Sequence, residues 1–226
     1  MQGKVILEIG PGDSVATAIV AACYGARAIL IDAGPFAKTD LASCRDFVEL
    51  LEFKGLNAPD ISAAVTLNEV VSACDAQYLT QGLESFASIE AGTVDLIFSQ
   101  AVLEHVRKYE FLDTMRECFR VLTPEGIASH RIDLKDHLGG GANNLRFSSK
   151  YWESDWMSSS GFYTNRIRFR EMVSEFEKAG FDIKILNTND WDKAPIARKN
   201  LAEEFSEIDE EDLLISGFDV ILKRTN

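Results

Sequence analysis

Residues able to do chemistry fall in three groups along the chain. The first is Glu8-Ile9-Gly10-Pro11-Gly12-Asp13-Ser14, between a short apolar run and an Ala-rich segment, with Asp32 at the end of the next apolar run. Glycines in such a turn let a ligand approach the backbone, and the helix that follows presents unpaired N–H groups. An acidic residue where Asp32 stands can accept hydrogen bonds from both hydroxyls of a ribose; it also suits a plain turn or helix cap, as Glu8 suits a loop-stabilising carboxylate. The second group is His130, Asp133 and His137. A histidine with its ordinary pKa of about 6.5 can take the proton from an attacking hydroxyl, although His130 also fits a satisfied strand residue and His137 a loop residue. The third is Trp152, Trp156, Phe162 and Tyr163, followed by Arg166 and Arg168. Trp152 and Tyr163 offer faces for a sugar ring and Arg166 a contact for phosphate or carboxylate; equally, the aromatics suit packing and the arginines suit pairing with Glu171 and Glu175.

These residues need elements to position them. Residues 4–9 read as a strand buried on both faces, residues 15–24 as a helix closed by Gly25, and residues 27–32 as a second strand, which together make a βαβ unit. Helical patterns follow at 43–53 and 62–74, then a short strand at 76–79 and a clear one at 94–98. Phe111, Leu112, Met115, Phe119 and Leu122 recur at helical spacing before a fifth strand at 127–133. A helix carrying Phe169, Met172, Val173 and Phe176 leads to strands at 181–186 and 218–223. This alternation implies a mostly parallel sheet covered on both faces. The chain is read as a single domain over residues 1–226, with insertions at about 135–166 and 188–214 around the ligand crevice.

The net charge of −13 over 226 residues argues against a nucleic-acid partner. Cys23, Cys44, Cys74 and Cys118 have neither metal-ligand nor disulfide-framework spacing, so no metal is expected. With no signal peptide or membrane span in the sequence, a cytoplasmic protein acting on a small molecule, with no membrane partner, is expected. Its oligomeric state is not legible.

A dinucleotide loop would have glycine where Val15 stands. The stretch from Glu8 to Ser14 instead resembles the E/D-x-G-x-G-x-G signature of class I S-adenosylmethionine-dependent methyltransferases, with Ser14 for the third glycine. Val94-Asp95-Leu96-Ile97-Phe98-Ser99-Gln100-Ala101-Val102-Leu103-Glu104-His105-Val106 is similar to that family's fourth-strand motif, and Leu122-Thr123-Pro124-Glu125-Gly126 to its turn before strand five. The resemblance implies an α/β, Rossmann-like sheet of seven strands in the order 3-2-1-4-5-7-6, the last antiparallel, with helices on both faces. It implies S-adenosyl-L-methionine as cofactor, held by Glu8, Gly10, Gly12 and Asp32, with Gln81 toward the adenine and Ser99 and Gln100 beside it. Glu104 and His105 are expected to shape that pocket.

The segments from His130 to His137 and from Asn165 to Arg170 resemble a bacterial subgroup often encoded among genes for surface-polysaccharide synthesis, so a sugar or sugar nucleotide is the expected acceptor. Strand one begins at once, without the helices that the family usually places over the cofactor, which leaves a lid to the insertions or to a missing segment. The contrasting expectation is a catalytically silent cofactor-binding partner subunit; a nicotinamide oxidoreductase is disfavoured by Val15 and the terminal strand pair.

Overall fold

The computed structural model describes residues 1–38 and 40–225. Its strands are β1 (Val5–Ile9), β2 (Arg27–Ile31), β3 (Gln77–Leu79), β4 (Val94–Gln100), β5 (Leu122–Asp133), β6 (Phe181–Asp190) and β7 (Ile215–Arg224), in one sheet ordered β3-β2-β1-β4-β5-β7-β6. That is the expected order. The helices are α1 (Ala16–Cys23), α2 (Leu41–Phe53), α3 (Leu67–Ala73), α4 (Phe111–Val121), α5 (Ser149–Trp152), α6 (Asp155–Ser158), α7 (Phe169–Lys178) and α8 (Glu210–Leu214). The chain divides into two compact units, residues 1–99 with 120–128, and residues 100–119 with 129–225.

In the first unit β1 pairs in parallel with both β2 and β4, and β2 with β3. Ile6, Leu7, Ile9 and Ala28 to Ile31 are all buried, as a central parallel strand pair requires. Helix α1 ends at Gly25, φ +66°, where the Gly25 N–H donates to Ala22 O and the Ala26 N–H to Ala21 O. The left-handed residue closes the helix as its glycine foretells. Asp40 caps α2 by accepting from Ser43 N, and Thr66 caps α3 by accepting from Glu69 N.

In the second unit β6 and β7 run antiparallel in register from Phe181 opposite Arg224 to Asp190 opposite Ile215. Both strands are longer than the apolar pattern foretells: β6 runs on through exposed polar residues 187–190, and β7 starts earlier, at Ile215, with Ser216 and Gly217 buried. Helix α7 buries Met172 and Phe176, the latter ring 5.9 Å from Phe111. The two insertions share a small core: Ala142 and Leu145 from the first pack with Ile196, Phe205 and Leu213 from the second.

Gly217 of β7 lies against β5 so closely that an added Cβ would sit 2.7 Å from Ile132 O. Gly217→Ala is expected to destabilise the protein by about 1–3 kcal/mol, the usual cost of overpacking against backbone, read as a lowered urea midpoint with unchanged slope.

Candidate functional site

The first unit builds a cradle at the carboxyl ends of β1 and β2. Gly10 and Gly12 both take positive φ, +71° and +65°, and the space where a Gly12 side chain would project is open to 4 Å. Packing therefore does not demand glycine at position 12; the backbone sign does, and it leaves room for a ligand. The Gly12 N–H donates to Asp32 Oδ2 at 3.0 Å and the Ala33 N–H to Asp32 Oδ1 at 2.7 Å. The Asp32 backbone is held as well, its N–H by Leu79 O and its carbonyl by the Gly82 N–H. Burial raises the Asp32 pKa, against which the Ala33 and Gly12 N–H bonds act. Half-buried Glu8 is raised too, first by desolvation and further by the Asp32 charge, while a Thr17 side-chain hydrogen bond lowers it. Each Asp32 oxygen keeps a lone pair after its backbone bond. Two partly desolvated carboxylates beside a glycine turn suit a ligand that brings an ammonium and hydroxyl donors. Of the other expected cofactor residues, Ser99 is buried beside Ile9 in the β1–β4 register, while the Gln81 side chain is exposed.

The second unit holds a cavity of about 660 Å³ at the carboxyl ends of β5 and β6. Gln100, Arg131, Asp133, Lys135, Asp190 and Trp191 line it, with Gly217. Its rim is fixed through backbone: the N–H of Ala101, at φ +53°, donates to Arg131 O, and the Trp191 N–H to Leu214 O. Asp133 Oδ1 accepts from Lys135 N at 2.9 Å, and the Asp133 N–H donates to Glu104 Oε1 at 3.3 Å. Glu104 is itself buried, and desolvation pushes its pKa up to about 8.

Several expected site residues are placed elsewhere. His130 is buried at 1% exposure and its pKa falls to about 3 by desolvation, so it is no base at neutral pH. Strand parity is the reason: successive β5 residues alternate faces, so His130 and Ile132 turn into the core while Arg131 and Asp133 reach the cavity. His137 is exposed but does not line the cavity; its Nδ1 lies 3.1 Å from Gly161 O and its ring meets His105 edge-on at 5.0 Å. Arg166 is buried, donates to Phe147 O at 2.6 Å, Ser149 Oγ and Glu153 Oε1, and lies over the rings of Trp152 and Phe205. It stabilises the insertions and is not open to an anion. Trp152 is fully buried, with Nε1 donating to Thr164 O, and the Tyr163 hydroxyl donates to Glu153 Oε2. Neither face is available to a sugar. Gln100, expected beside the cofactor, lines the cavity of the second unit.

Arg131, Lys135 and Trp191, which line this cavity, are not among the residues that the sequence singles out. Arg131 has a local signal, standing two residues before Asp133 on one strand face; Trp191 carries none.

A family model described as a methyltransferase domain matches residues 7–129. Among solved structures, an S-adenosylmethionine-dependent methyltransferase from Methanosarcina mazei is 17% identical with TM-score 0.56, covering 99% of this chain and 94% of that one. Phosphoethanolamine N-methyltransferase 2 of Haemonchus contortus, in complex with phosphomonomethylethanolamine and S-adenosylhomocysteine, is 14% identical with TM-score 0.52, over 99% of this chain and 49% of that one. A chain from the Haloferax volcanii complex of the Trm112 methyltransferase activator with a methyltransferase is 13% identical with TM-score 0.51, over 100% and 84%. At such identities the likeness is one of fold. No curated protein matches the chain.

Burial holds the His130 pKa below its ordinary value. Its folded value lies below its unfolded value, so its contribution to stability is complete above about pH 6.5 and is lost as pH falls toward 3. His130→Asn is expected to flatten the loss of stability between pH 6.5 and 4, measured as denaturation midpoints across that range; an unchanged slope would return His130 to the accessible groups.

Proposed function

Because the chain belongs to the methyltransferase domain family, we propose that it is an S-adenosylmethionine-dependent methyltransferase acting on a small polar acceptor, with a sugar or sugar nucleotide as the substrate class. The observation that carries this reading is Asp32, buried at the end of β2 with each carboxylate oxygen on a backbone N–H and a lone pair left on each. Glu8, Gly10, Gly12 and Asp32 hold the cofactor, with Ser99 buried close to the glycine turn and Gln81 toward the adenine. Bound S-adenosylmethionine supplies an electrophilic methyl on a sulfonium.

The acceptor occupies the cavity of the second unit. There the Asp133 carboxylate receives the proton that the acceptor hydroxyl or amine sheds. Lys135 N and Glu104 hold Asp133 in place, and Gln100 with Asn189 offers amide contacts to hydroxyls. The sugar class is supported by that mix of amides, carboxylates and the Trp191 ring, and by the resemblance to the polysaccharide-associated subgroup.

A second reading is a silent cofactor-binding partner subunit. The likeness to a chain from the Trm112 activator complex favours it.

Thermal shift with S-adenosylhomocysteine is expected to raise the melting temperature, and nicotinamide dinucleotides are not, because only a ligand of the native state stabilises it. In a panel of nucleotide sugars, free sugars, small acids and phenols, nucleotide sugars or sugars are expected to drive S-adenosylhomocysteine release. Asp133→Asn is expected to lower turnover by about 10²-fold or more with cofactor binding intact. Turnover of phenols alone would discard the sugar assignment, and binding without release for any acceptor would favour the silent subunit.

A further inference from the structure

We propose that Arg131 binds an anionic group of the acceptor, phosphate or carboxylate, with Lys135 beside it and the Trp191 ring as an apolar wall. This rests on the reading of the second unit's cavity as the acceptor site.

The case begins with charge. In a chain of net charge −13 a guanidinium usually finds a carboxylate or carbonyl, and the other arginines of this unit do find partners. Arg116 pairs with Asp113, Arg170 with Asp209 and Glu211, and Arg166 and Arg168 are buried among backbone carbonyls. The Arg131 guanidinium has no hydrogen-bond, ion-pair or ring partner among the described residues, although it lines a cavity that also contains Asp133 and Asp190.

Geometry explains the separation. Arg131 and Asp133 follow one another along the same face of β5, and Asp133 Oδ1 is taken by the Lys135 N–H. The Lys135 ammonium likewise has no carboxylate partner among the described residues. Two cations therefore stand at one cavity with no anion on them. The backbone behind them is fixed, since Arg131 O accepts from the Ala101 N–H. A planar guanidinium on a held strand presents a fork that matches carboxylate or phosphate oxygens, and a point charge beside it adds affinity without demanding orientation.

Calorimetric titration with pyrophosphate and with citrate tests this. Wild type is expected to bind at least one of them in the millimolar range or tighter. Arg131→Gln is expected to weaken that binding at least about tenfold, the scale of a lost charged hydrogen bond. Arg27→Gln, an exposed arginine of the first unit, serves as control and is expected to change nothing. Preference for pyrophosphate assigns a phosphate-bearing acceptor, and preference for citrate a carboxylate-bearing one. No binding of either anion, binding untouched by Arg131→Gln, or equal weakening by Arg27→Gln overturns the proposal. A parallel titration with S-adenosylhomocysteine separates the two readings: anion binding without it would keep the Arg131 site and remove the methyltransferase assignment.

Discussion

The hydrogen bond from the Gly12 N–H to the Asp32 carboxylate ties the turn after β1 to the end of β2. Everything proposed for the first unit depends on it. A carboxylate at 9% exposure is tolerable only when donors surround it, and here the donors are backbone groups that cannot rotate away. Glycine at position 12 makes this possible, because it readily adopts the positive φ that turns its N–H toward the strand end. The result is a carboxylate held in one orientation before any ligand arrives, with Glu8 close enough for their charges to oppose each other. Such a pair favours a ligand that brings positive charge and hydroxyl donors.

The second unit solves a related problem with guanidinium groups. Its insertions contain only short helices and 3-10 turns, so many carbonyls lack a regular partner. Arg168, whose pKa is lowered to about 10 by burial, donates to Leu134 O, Asp212 O and Ile215 O, joining the chain leaving β5 to the chain entering β7. Arg166, at φ +60°, does the same for residues 144–149 while stacked between Trp152 and Phe205. Both arginines work inside the protein, which leaves Arg131 to face the cavity.

The parts legible in the sequence are those whose determinants are local. An apolar run, a glycine pair, an Ala-rich helix ended by Gly25 and a second apolar run ended by Asp32 specify the βαβ unit and its cradle within a few dozen residues. His130 belongs to the core rather than the site because strand parity, legible in the sequence, sets 130 and 131 on opposite faces. Trp152, Tyr163 and Arg166 are buried for a different reason. Trp152 and Tyr163 pack with Met157 and Phe147 in a small core inside the first insertion, and Arg166 lies over Phe205 from the second, and no helical or strand period in the sequence carries that information. Trp191 reaches the cavity likewise without a local signal.

The most direct measurement is a calorimetric titration of S-adenosylhomocysteine into wild type and Asp32→Ala, with circular dichroism to verify that the variant is folded. The expected result is one site per chain in wild type and a loss of about 1.5–3 kcal/mol of binding free energy in the variant, the scale of hydrogen bonds to a charged group. Equal affinity in a folded Asp32→Ala protein would contradict the role given to this carboxylate and, with it, the account of the cradle.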